Sequence, residues 1–129
     1  MFNQQKIKGK VAEEVVKRHL TKRGHKINDV SENPDYWKAD IDLIITNWKT
    51  PITIEVKRDD NLFTTGNIFV EVGFEKEGYY STGWFNMCKA DYIAFFDCKA
   101  KRGIICDLDK LKETAVQKGQ KKLFWDKLD

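Results

Sequence analysis

Apolar residues recur every three or four positions near the start of the chain, in the pattern of an amphipathic helix. They form two rows with i,i+4 spacing: Ile7, Val11 and Val15, and then Ala12, Val16 and Leu20. Side by side, the two rows make one wide stripe that a helix buries against a core. The pattern predicts a helix from about Gln4 to Arg23, and Gly24 is suited to the left-handed conformation that ends helices.

Five later segments are rich in β-branched and aromatic residues, which predicts strands. These segments are Ile41–Ile45, Ile52–Lys57, Ile68–Val72, Tyr92–Phe96 and Gly103–Cys106. Residues 28–38, which contain Pro34, predict a loop. Residues 47–51 predict a turn, and residues 64–67 predict a glycine-containing connection.

Two further helices complete the predicted elements. Ser81 is suited to cap a short helix that runs through Met87, and either Asp107 or Asp109 is suited to begin a final helix that ends near Gln117. The order α-β-β-β-α-β, followed by a strand and a helix, predicts an α/β fold. We therefore expect one domain over residues 1–129, with a central mixed sheet flanked by helices.

Residues 52–57 alternate strictly between apolar and polar side chains, which assigns them to two faces of a strand. Glu55 and Lys57 share the polar face. On the preceding predicted strand, Asp42 lies between two apolar neighbours and points away from their face. Two adjacent strands would therefore hold Asp42, Glu55 and Lys57 at one edge of one sheet face.

Two carboxylates and a lysine are the groups that metal-dependent phosphodiester hydrolysis uses. Mg²⁺ takes carboxylate oxygens as ligands and keeps several waters. The metal stabilises charge on the phosphate and makes a bound water a better nucleophile. A nearby lysine orients that water or neutralises charge in the transition state. The opposing interpretation is an exposed salt bridge between Glu55 and Lys57, which is common on strands.

The composition narrows the classes of protein to consider. The chain has 129 residues, of which 41% are hydrophobic and 33% charged, as in a soluble globular protein. No apolar run matches a membrane span, and the N-terminus lacks a signal-peptide pattern, so we expect no membrane association and a cytoplasmic location. Three widely spaced cysteines predict buried reduced thiols rather than a zinc site.

The distribution of basic residues says more than the net charge of +3. One cluster contains Lys10 and Arg18 on the first predicted helix, and another contains Lys101 and Arg102 late in the chain. Patches of this kind track the phosphate backbone of DNA, so we expect these four residues to contact it. A solvated surface that only keeps the protein soluble explains the same pattern.

The ordered set of motifs resembles the PD-(D/E)XK nuclease superfamily over about residues 7–97. The segments that carry the resemblance are Gly9–Glu13, Asp40–Leu43, Glu55–Lys57, Gly66–Glu71, Gly83–Trp84 and Lys89–Tyr92. More narrowly, the chain is similar to small phage-type and bacterial endonucleases of that superfamily. The resemblance implies a restriction-endonuclease-like α-β-β-β-α-β core, a Mg²⁺ or Mn²⁺ cofactor, DNA as substrate, and the cytoplasm of a bacterial or phage-infected cell.

The resemblance assigns a role to each matching residue. Asp42 matches the metal-binding aspartate, Glu55 the second metal ligand, and Lys57 the catalytic lysine. The backbone carbonyl of Val56 is implied as a further metal ligand. Glu13 matches the glutamate on the first helix that joins the site directly or through water.

Two of the acidic positions leave alternatives open. Glu14 rivals Glu13 because both flank the apolar stripe of the helix, and the spacing from Gly9 favours Glu13. Glu71 lies on the predicted third strand. It is expected to support the site by pairing with Lys57 or binding a water on the metal, and a structural salt bridge is an equal alternative.

The chain departs from the superfamily pattern in one place. The Pro-Asp pair is absent, because Ile41 precedes Asp42 and Pro34–Asp35 lies in the loop before it. Asp40 is expected on the same face as Asp42. It therefore either supports Asp42 or replaces it as the main metal ligand.

The preferred hypothesis from sequence is a metal-dependent DNA endonuclease. One alternative is a catalytically silent nucleic-acid-binding module on the same fold, and another is an assembly protein whose charged strand residues are only surface. The DNA substrate stays open and includes junctions, as for a Holliday-junction-resolvase-like, structure-selective nuclease. A single site cuts one strand, so double-strand cleavage or junction resolution would imply a two-fold homodimer.

Overall fold

Helices and strands are interleaved in the computed structural model, which describes residues 4–66, 73–76, 79–82, 87–118 and 126–128. The helices are α1 (Gln4–Lys22), α2 (Leu62–Thr65) and α3 (Leu108–Lys118), and a 3₁₀ turn spans Pro34–Tyr36. The strands are β1 (Ile27–Asp29), β2 (Leu43–Ile45), β3 (Ile52–Arg58), β4 (Gly73–Lys76), β5 (Tyr79–Thr82), β6 (Tyr92–Asp97), β7 (Arg102–Asp107) and β8 (Asp126–Leu128).

Six of these strands form one mixed sheet in the order β1-β2-β3-β6-β7-β8, and β4 pairs with β5 in a separate two-stranded sheet. Strands β3 and β6 run parallel. The other neighbouring pairs of the large sheet are antiparallel. A parallel pair needs a long crossover connection, and the chain between β3 and β6 provides it.

Two apolar layers bury the two faces of this sheet. The first layer contains Ala12, Val16 and Leu20 of α1 with Leu43, Ile45, Ile54, Val56, Ala94 and Phe96 of the sheet. The second contains Ile44, Ile93, Phe95, Ile104 and Cys106 of the sheet with Leu62 of α2 and with Leu108 and Leu111 of α3. Neighbouring strand residues fall in different layers because successive side chains point to opposite faces. The predicted α/β fold, with a central mixed sheet flanked by helices, is confirmed.

The apolar stripe of α1 is narrower than the sequence predicts. Ala12, Val16 and Leu20 are buried, in agreement with the second predicted row. Val11, in the other row, is exposed, so its predicted burial is wrong. The helix packs on the sheet mainly through this second row, with Val15 of the other row half-buried against the same layer.

The end of α1 follows the predicted left-handed cap. Gly24 has a φ of 91°, a conformation that glycine adopts at low cost because it lacks a Cβ. The N–H of His25 donates to the carbonyl of Leu20, and the N–H of Gly24 donates to the carbonyl of Thr21, both at 3.1 Å. These two bonds are those of a Schellman motif, and they turn the chain into β1.

Part of the predicted loop over residues 28–38 is regular structure. Strand β1 pairs antiparallel with β2, with Ile27 opposite Ile45. The sequence conceals this edge strand because it is short and two of its three residues, Asn28 and Asp29, are polar. Later in the segment, the side chain of Asn33 caps the 3₁₀ turn.

Two predictions of secondary structure in the second half of the chain differ from the structure. Ser81 lies in β5, so its predicted role as a helix cap is wrong. The predicted connection over residues 64–67 is partly helical, because α2 ends at Thr65 and Gly66 caps it with a φ of 71°. The predicted strand Ile68–Val72 and the residue Trp84 lie outside the described residues.

The start of α3 settles the choice between two capping residues. Asp107 Oδ1 accepts a hydrogen bond from the N–H of Lys110 at 3.0 Å. A side chain just before the helix that binds the third helical N–H is an N-cap. Asp107 therefore begins the helix, and Asp109 lies inside its first turn.

The structure also bears on two predictions made from composition, one about the cysteines and one about membrane-spanning segments. Cys88 and Cys106 are buried free thiols, as predicted, whereas Cys98 is also free but only half-buried. None of the described helices combines the length and the apolar character that crossing a membrane requires.

Candidate active site

Strand β3 pairs with β2 along only its first half, and a cavity lies beside its second half. Strand β2 pairs with β3 only over Ile52–Ile54, while β3 continues to Arg58. Asp42 precedes β2 and ends the pairing: its N–H donates to the Ile54 carbonyl at 2.9 Å, and its Oδ2 accepts from the Val56 N–H at 2.8 Å. A carboxylate thus occupies the place of a strand carbonyl, and this edge of β3 faces the cavity.

The cavity has a volume of about 480 Å³ and is formed by α1, Asp42 and the second half of β3. Its lining residues are Gly9, Glu13, Asp42, Glu55, Val56, Lys57, Arg58 and Asp60. This volume lies in the usual range of small-ligand pockets. The structure therefore brings together the four predicted catalytic residues: Asp42, Glu55 and Lys57, expected together in one cleft, and Glu13, expected at its rim.

Glu55 and Lys57 lie on the same face of β3, with Lys57 Nζ 3.3 Å from Glu55 Oε1. Glu55 is only 5% exposed, whereas the side chain of Lys57 is 33% exposed. Burial and then the charge of Asp42 raise the pKa of Glu55 to about 9, and Lys57 offsets only part of this effect. An exposed salt bridge would keep both groups in water, so that interpretation does not describe this pair.

Asp42 and Glu13, two of the other three carboxylates that line the cavity, are also costly to ionise. Burial raises the pKa of Asp42, although the Val56 N–H and the charge of Lys57 oppose the shift. Burial raises the pKa of Glu13, and the charge of Asp42 adds to it. Lys10 Nζ is 3.6 Å from Glu13 Oε2, an oxygen that is buried without a hydrogen-bond partner among the described residues. The charge of Asp42 thus opposes ionisation of both Glu13 and Glu55, and a bound cation would relieve that repulsion.

Glu13 and Glu14 have different surroundings on helix α1. Glu13 is half-buried and lines the cavity, whereas Glu14 is exposed and is not among the lining residues. Consecutive residues of a helix are about 100° apart around its axis, because a turn takes 3.6 residues. The two side chains therefore point in different directions, and of the two only Glu13 lines the cavity.

Asp40 lies near the site, but in a turn rather than on the strand where the sequence predicts it. It belongs to the turn before β2 and has a φ of 52°, so the expectation from strand alternation is wrong. Its charge contributes to the raised pKa of Glu55, and the charge of Lys57 acts on Asp40 in turn. Asp40 is not among the residues that line the cavity. Glu71 lies outside the described residues, so its supporting role stays a prediction.

The oxygen donors of the cavity fit a hard divalent cation that retains water. In the part of the chain that the structure describes, no three acidic, histidine or cysteine side chains are grouped closely enough to enclose a metal. Mg²⁺ does not require such a group, because it binds through one or two carboxylates and keeps several waters. Asp42 and Glu55 are suited to be those carboxylates, and the Glu13 oxygen that lacks a hydrogen bond among the described residues is suited to accept one from a metal-bound water.

Arg58 and Asp60 also line the cavity, although the sequence analysis does not single them out. Arg58 Nε and Nη2 donate to the carboxylate of Asp60 at 2.8 to 3.1 Å. Asp60 Oδ1 accepts from the Cys98 N–H at 3.0 Å, which joins the pair to the β6–β7 turn. Strand alternation places Arg58 on the face opposite Lys57 and so excludes it. The cavity reaches both faces because β2 does not extend that far.

Two of the four predicted DNA contacts lie on α1. Lys10 joins a network at the rim of the cavity, with its Nζ 2.6 Å from Glu32 Oε1 and 3.2 Å from Ser31 Oγ. Arg18 is exposed on the outer surface of the helix. Lys10 is thus engaged with protein groups, and Arg18 faces solvent.

The other two predicted contacts lie where β6 turns into β7. Lys101 and Arg102 are both exposed, and the Arg102 guanidinium carbon lies 4.4 Å from the centre of the Phe63 ring. This turn is at the same end of the sheet as the cavity, because Phe96, near the end of β6, pairs with Arg58. The basic turn and the carboxylates therefore belong to one end of the molecule.

No protein-family model matches the chain, and no curated protein sequence does. A solved structure with a similar fold is that of a bacterial homing endonuclease, I-Ssp6803I, with a TM-score of 0.60 and 17% sequence identity. The similarity covers 84% of this chain and 72% of the endonuclease chain. At this level of identity it concerns the fold alone. The chain therefore has an α/β fold similar to that of a bacterial homing endonuclease.

Proposed function

We propose that the protein is a metal-dependent DNA endonuclease that hydrolyses phosphodiester bonds. The observation that carries the proposal is the cavity that holds Asp42, Glu55 and Lys57 together, with two carboxylates beside one ammonium group. The similarity in fold to a bacterial homing endonuclease supports the same class of activity. Membership of the PD-(D/E)XK superfamily is part of the proposal, because its defining positions correspond to these three residues.

The proposed metal ligands are Asp42, Glu55 and the backbone carbonyl of Val56, with Glu13 acting through a water. When bound, Mg²⁺ or Mn²⁺ supplies stabilisation of phosphate charge and lowers the pKa of its water. The Val56 N–H holds one oxygen of Asp42 at 2.8 Å, so the carboxylate is oriented before an ion arrives. Orientation of this kind reduces the cost of ordering a ligand upon binding.

Lys57 has a different role in the proposal. A charged ammonium has no lone pair, so it cannot be a metal ligand. Glu55 holds Lys57 Nζ near the carboxylates, while one third of the lysine side chain is exposed to the cavity and solvent. Its ammonium is suited to hold the attacking water or to neutralise charge on the phosphate in the transition state.

The proposed DNA contacts are Lys10, Arg18, Lys101 and Arg102, with the β6–β7 turn nearest to the cavity end of the sheet. One cavity cleaves one strand, so nicking is the minimal activity of a single chain. Cleavage of both strands or resolution of a junction would require a second copy with two-fold symmetry. The homodimer therefore belongs to the proposal only for those substrates.

A plasmid-nicking assay tests the proposal. Supercoiled DNA is incubated with the protein in Mn²⁺, in Mg²⁺ and in EDTA, beside a panel of labelled duplexes, flaps and four-way junctions. We expect nicked products with the divalent ions and none with EDTA. Binding to DNA without cleavage of any substrate in either ion would contradict the proposal and would favour the catalytically silent binding module.

A further inference from the structure

An exposed tryptophan, Trp37, lies on the segment between α1 and Asp42. Trp37 is 58% exposed, although large aromatic side chains are usually mostly buried. Its position is fixed from both sides. The preceding residue, Tyr36, packs against the second apolar layer, and the indole Nε1 donates to the carbonyl of Ser31 at 3.1 Å. The indole is thus hydrogen-bonded to the protein while the side chain stays largely exposed to solvent.

Hydrogen bonds connect Trp37 to both sides of the candidate site. Ser31, which holds the indole, accepts a hydrogen bond from Lys10 Nζ at 3.2 Å, and Lys10 Nζ in turn lies 3.6 Å from Glu13 Oε2 in the cavity. The carbonyl of Trp37 accepts from the N–H of Asp40 at 3.1 Å. Trp37 therefore begins the turn that leads to Asp42, and its indole is joined to Glu13 of the cavity through Ser31 and Lys10.

The chemistry of the exposed ring limits what it can recognise. Its single polar group is already hydrogen-bonded to Ser31, so what it offers to a ligand is an aromatic face. The face of an aromatic ring stacks on the face of a nucleobase, whereas an intact duplex offers mainly base edges in its grooves. Lys38, the next residue, is also exposed and is suited to contact a neighbouring phosphate.

We propose that Trp37 stacks on an unpaired or unstacked nucleobase beside the cleaved phosphate. This inference rests on the proposed function, because it assumes that DNA occupies the cavity. It assigns the substrate class: DNA that is distorted or single-stranded at the cutting site is preferred to regular duplex. Because the indole is already hydrogen-bonded to Ser31, stacking costs less side-chain entropy than it would for an unrestrained ring.

A second exposed tryptophan supplies a matched control. Trp48 is 56% exposed, and its ring stacks on His25 with 6.2 Å between ring centres. It lies in the turn between β2 and β3, at the opposite end of β3 from the cavity. Substituting Trp48 removes an equally exposed indole without touching the site.

The test measures DNA affinity in EDTA, where no cleavage occurs, by fluorescence anisotropy. Two labelled duplexes of the same sequence are compared, one regular and one with a single unpaired nucleotide. The proteins are the parent, Trp37→Ala, Trp37→Phe and Trp48→Ala. We expect the parent to prefer the duplex with the unpaired nucleotide. Trp37→Ala should lose roughly 5- to 100-fold in affinity for it and little for the regular duplex, while Trp37→Phe and Trp48→Ala keep the preference.

Equal affinity of Trp37→Ala and the parent for the duplex with the unpaired nucleotide would overturn the inference. So would a change in oligomeric state of Trp37→Ala by analytical ultracentrifugation, because it would assign the indole to a protein interface. Neither result bears on the proposed function, which the nicking assay tests separately. Conversely, a Trp37-dependent preference in a protein that never nicks DNA would support the stacking role and contradict the endonuclease.

Discussion

The carboxylate of Asp42 accepts the hydrogen bond of the Val56 N–H, 2.8 Å away, where a longer β2 strand would place a backbone carbonyl. The same side chain thus ends the strand pairing and lines the cavity that results. Fold and candidate chemistry depend on one residue at this point. Substitutions of Asp42 are therefore expected to affect stability and metal binding through separable interactions.

Asp42→Asn and Asp42→Ala should separate those two interactions. An amide oxygen still accepts from the Val56 N–H, whereas alanine leaves that N–H without its partner. We expect the free energy of unfolding of Asp42→Asn to exceed that of Asp42→Ala by about 1 kcal/mol, while both variants lose Mn²⁺ binding. Urea denaturation and titration calorimetry measure the two effects. Parent-like Mn²⁺ affinity in Asp42→Asn would remove this residue from the metal site.

Glu55 should make the metal-free protein less stable as the pH rises. Its folded-state pKa of about 9 lies above the ordinary value of 4.5, so between these values the native state binds more protons than the unfolded state. The linkage relation then gives a free energy of unfolding that falls from about pH 4.5 to about pH 9. Glu55→Gln should remove this part of the pH dependence and be more stable than the parent in EDTA at pH 8 to 9.

Thermal unfolding of both proteins across this pH range, with and without Mn²⁺, checks the linkage. Mn²⁺ should stabilise the parent and leave Glu55→Gln nearly unchanged, because a ligand that binds only the native state raises its stability. A parent whose stability stays flat from pH 5 to 9 in EDTA would contradict the buried, charge-crowded environment of Glu55.

The two glutamates on α1 provide a matched pair. Glu13→Gln should lower the rate of cleavage by on the order of tenfold or more, since groups that hydrogen-bond to the ligands of a metal typically contribute 10- to 100-fold. Glu14→Gln removes the same charge from the same helix at an exposed position, and it should cleave like the parent. Nicking rates at saturating Mn²⁺ give the comparison. Equal losses in both variants would indicate a general effect of helix charge rather than a role in the site.

DNA affinity should depend on salt and on the basic turn after β6. Removing one lysine–phosphate interaction reduces the slope of log affinity against log salt by about 0.9 on duplex DNA. Lys101→Ala should therefore weaken binding and flatten this slope, as should Arg18→Ala. Lys49→Ala, in the exposed turn at the other end of β3, is the control. A Lys101→Ala slope equal to that of the parent would exclude the β6–β7 turn from the DNA-binding surface.

The sequence predicts the central part of the site because strand alternation is strict there. Glu55 and Lys57 lie two residues apart on β3, and the adjacent β2 places Asp42 next to Val56 by antiparallel pairing. Local periodicity and one strand neighbour are sufficient for that inference. The choice of Glu13 over Glu14 requires the depth of helix packing, which periodicity alone does not give.

The site residues that are not predicted are those whose positions depend on where the pairing of β2 with β3 ends. Arg58 and Asp60 line the cavity because β2 is shorter than β3, and no local pattern reports strand length to that accuracy. Strand β1 is not predicted because three residues at a sheet edge carry too few apolar side chains to show the alternating pattern of a strand. Asp40 departs from its predicted face because its positive φ removes it from the strand.

In the proposed site Lys57 serves cleavage, whereas Asp42 and Glu55 serve metal binding. The Lys57→Ala variant separates these roles in a plasmid-nicking assay with Mn²⁺ beside calorimetry of Mn²⁺ binding, with Lys49→Ala as the control for removal of a positive charge. We predict that Lys57→Ala nicks DNA on the order of 10²- to 10³-fold more slowly than the parent while Mn²⁺ affinity stays close to that of the parent. Nicking by Lys57→Ala at the parent rate would exclude Lys57 from catalysis and leave the Glu55–Lys57 pair as a structural salt bridge.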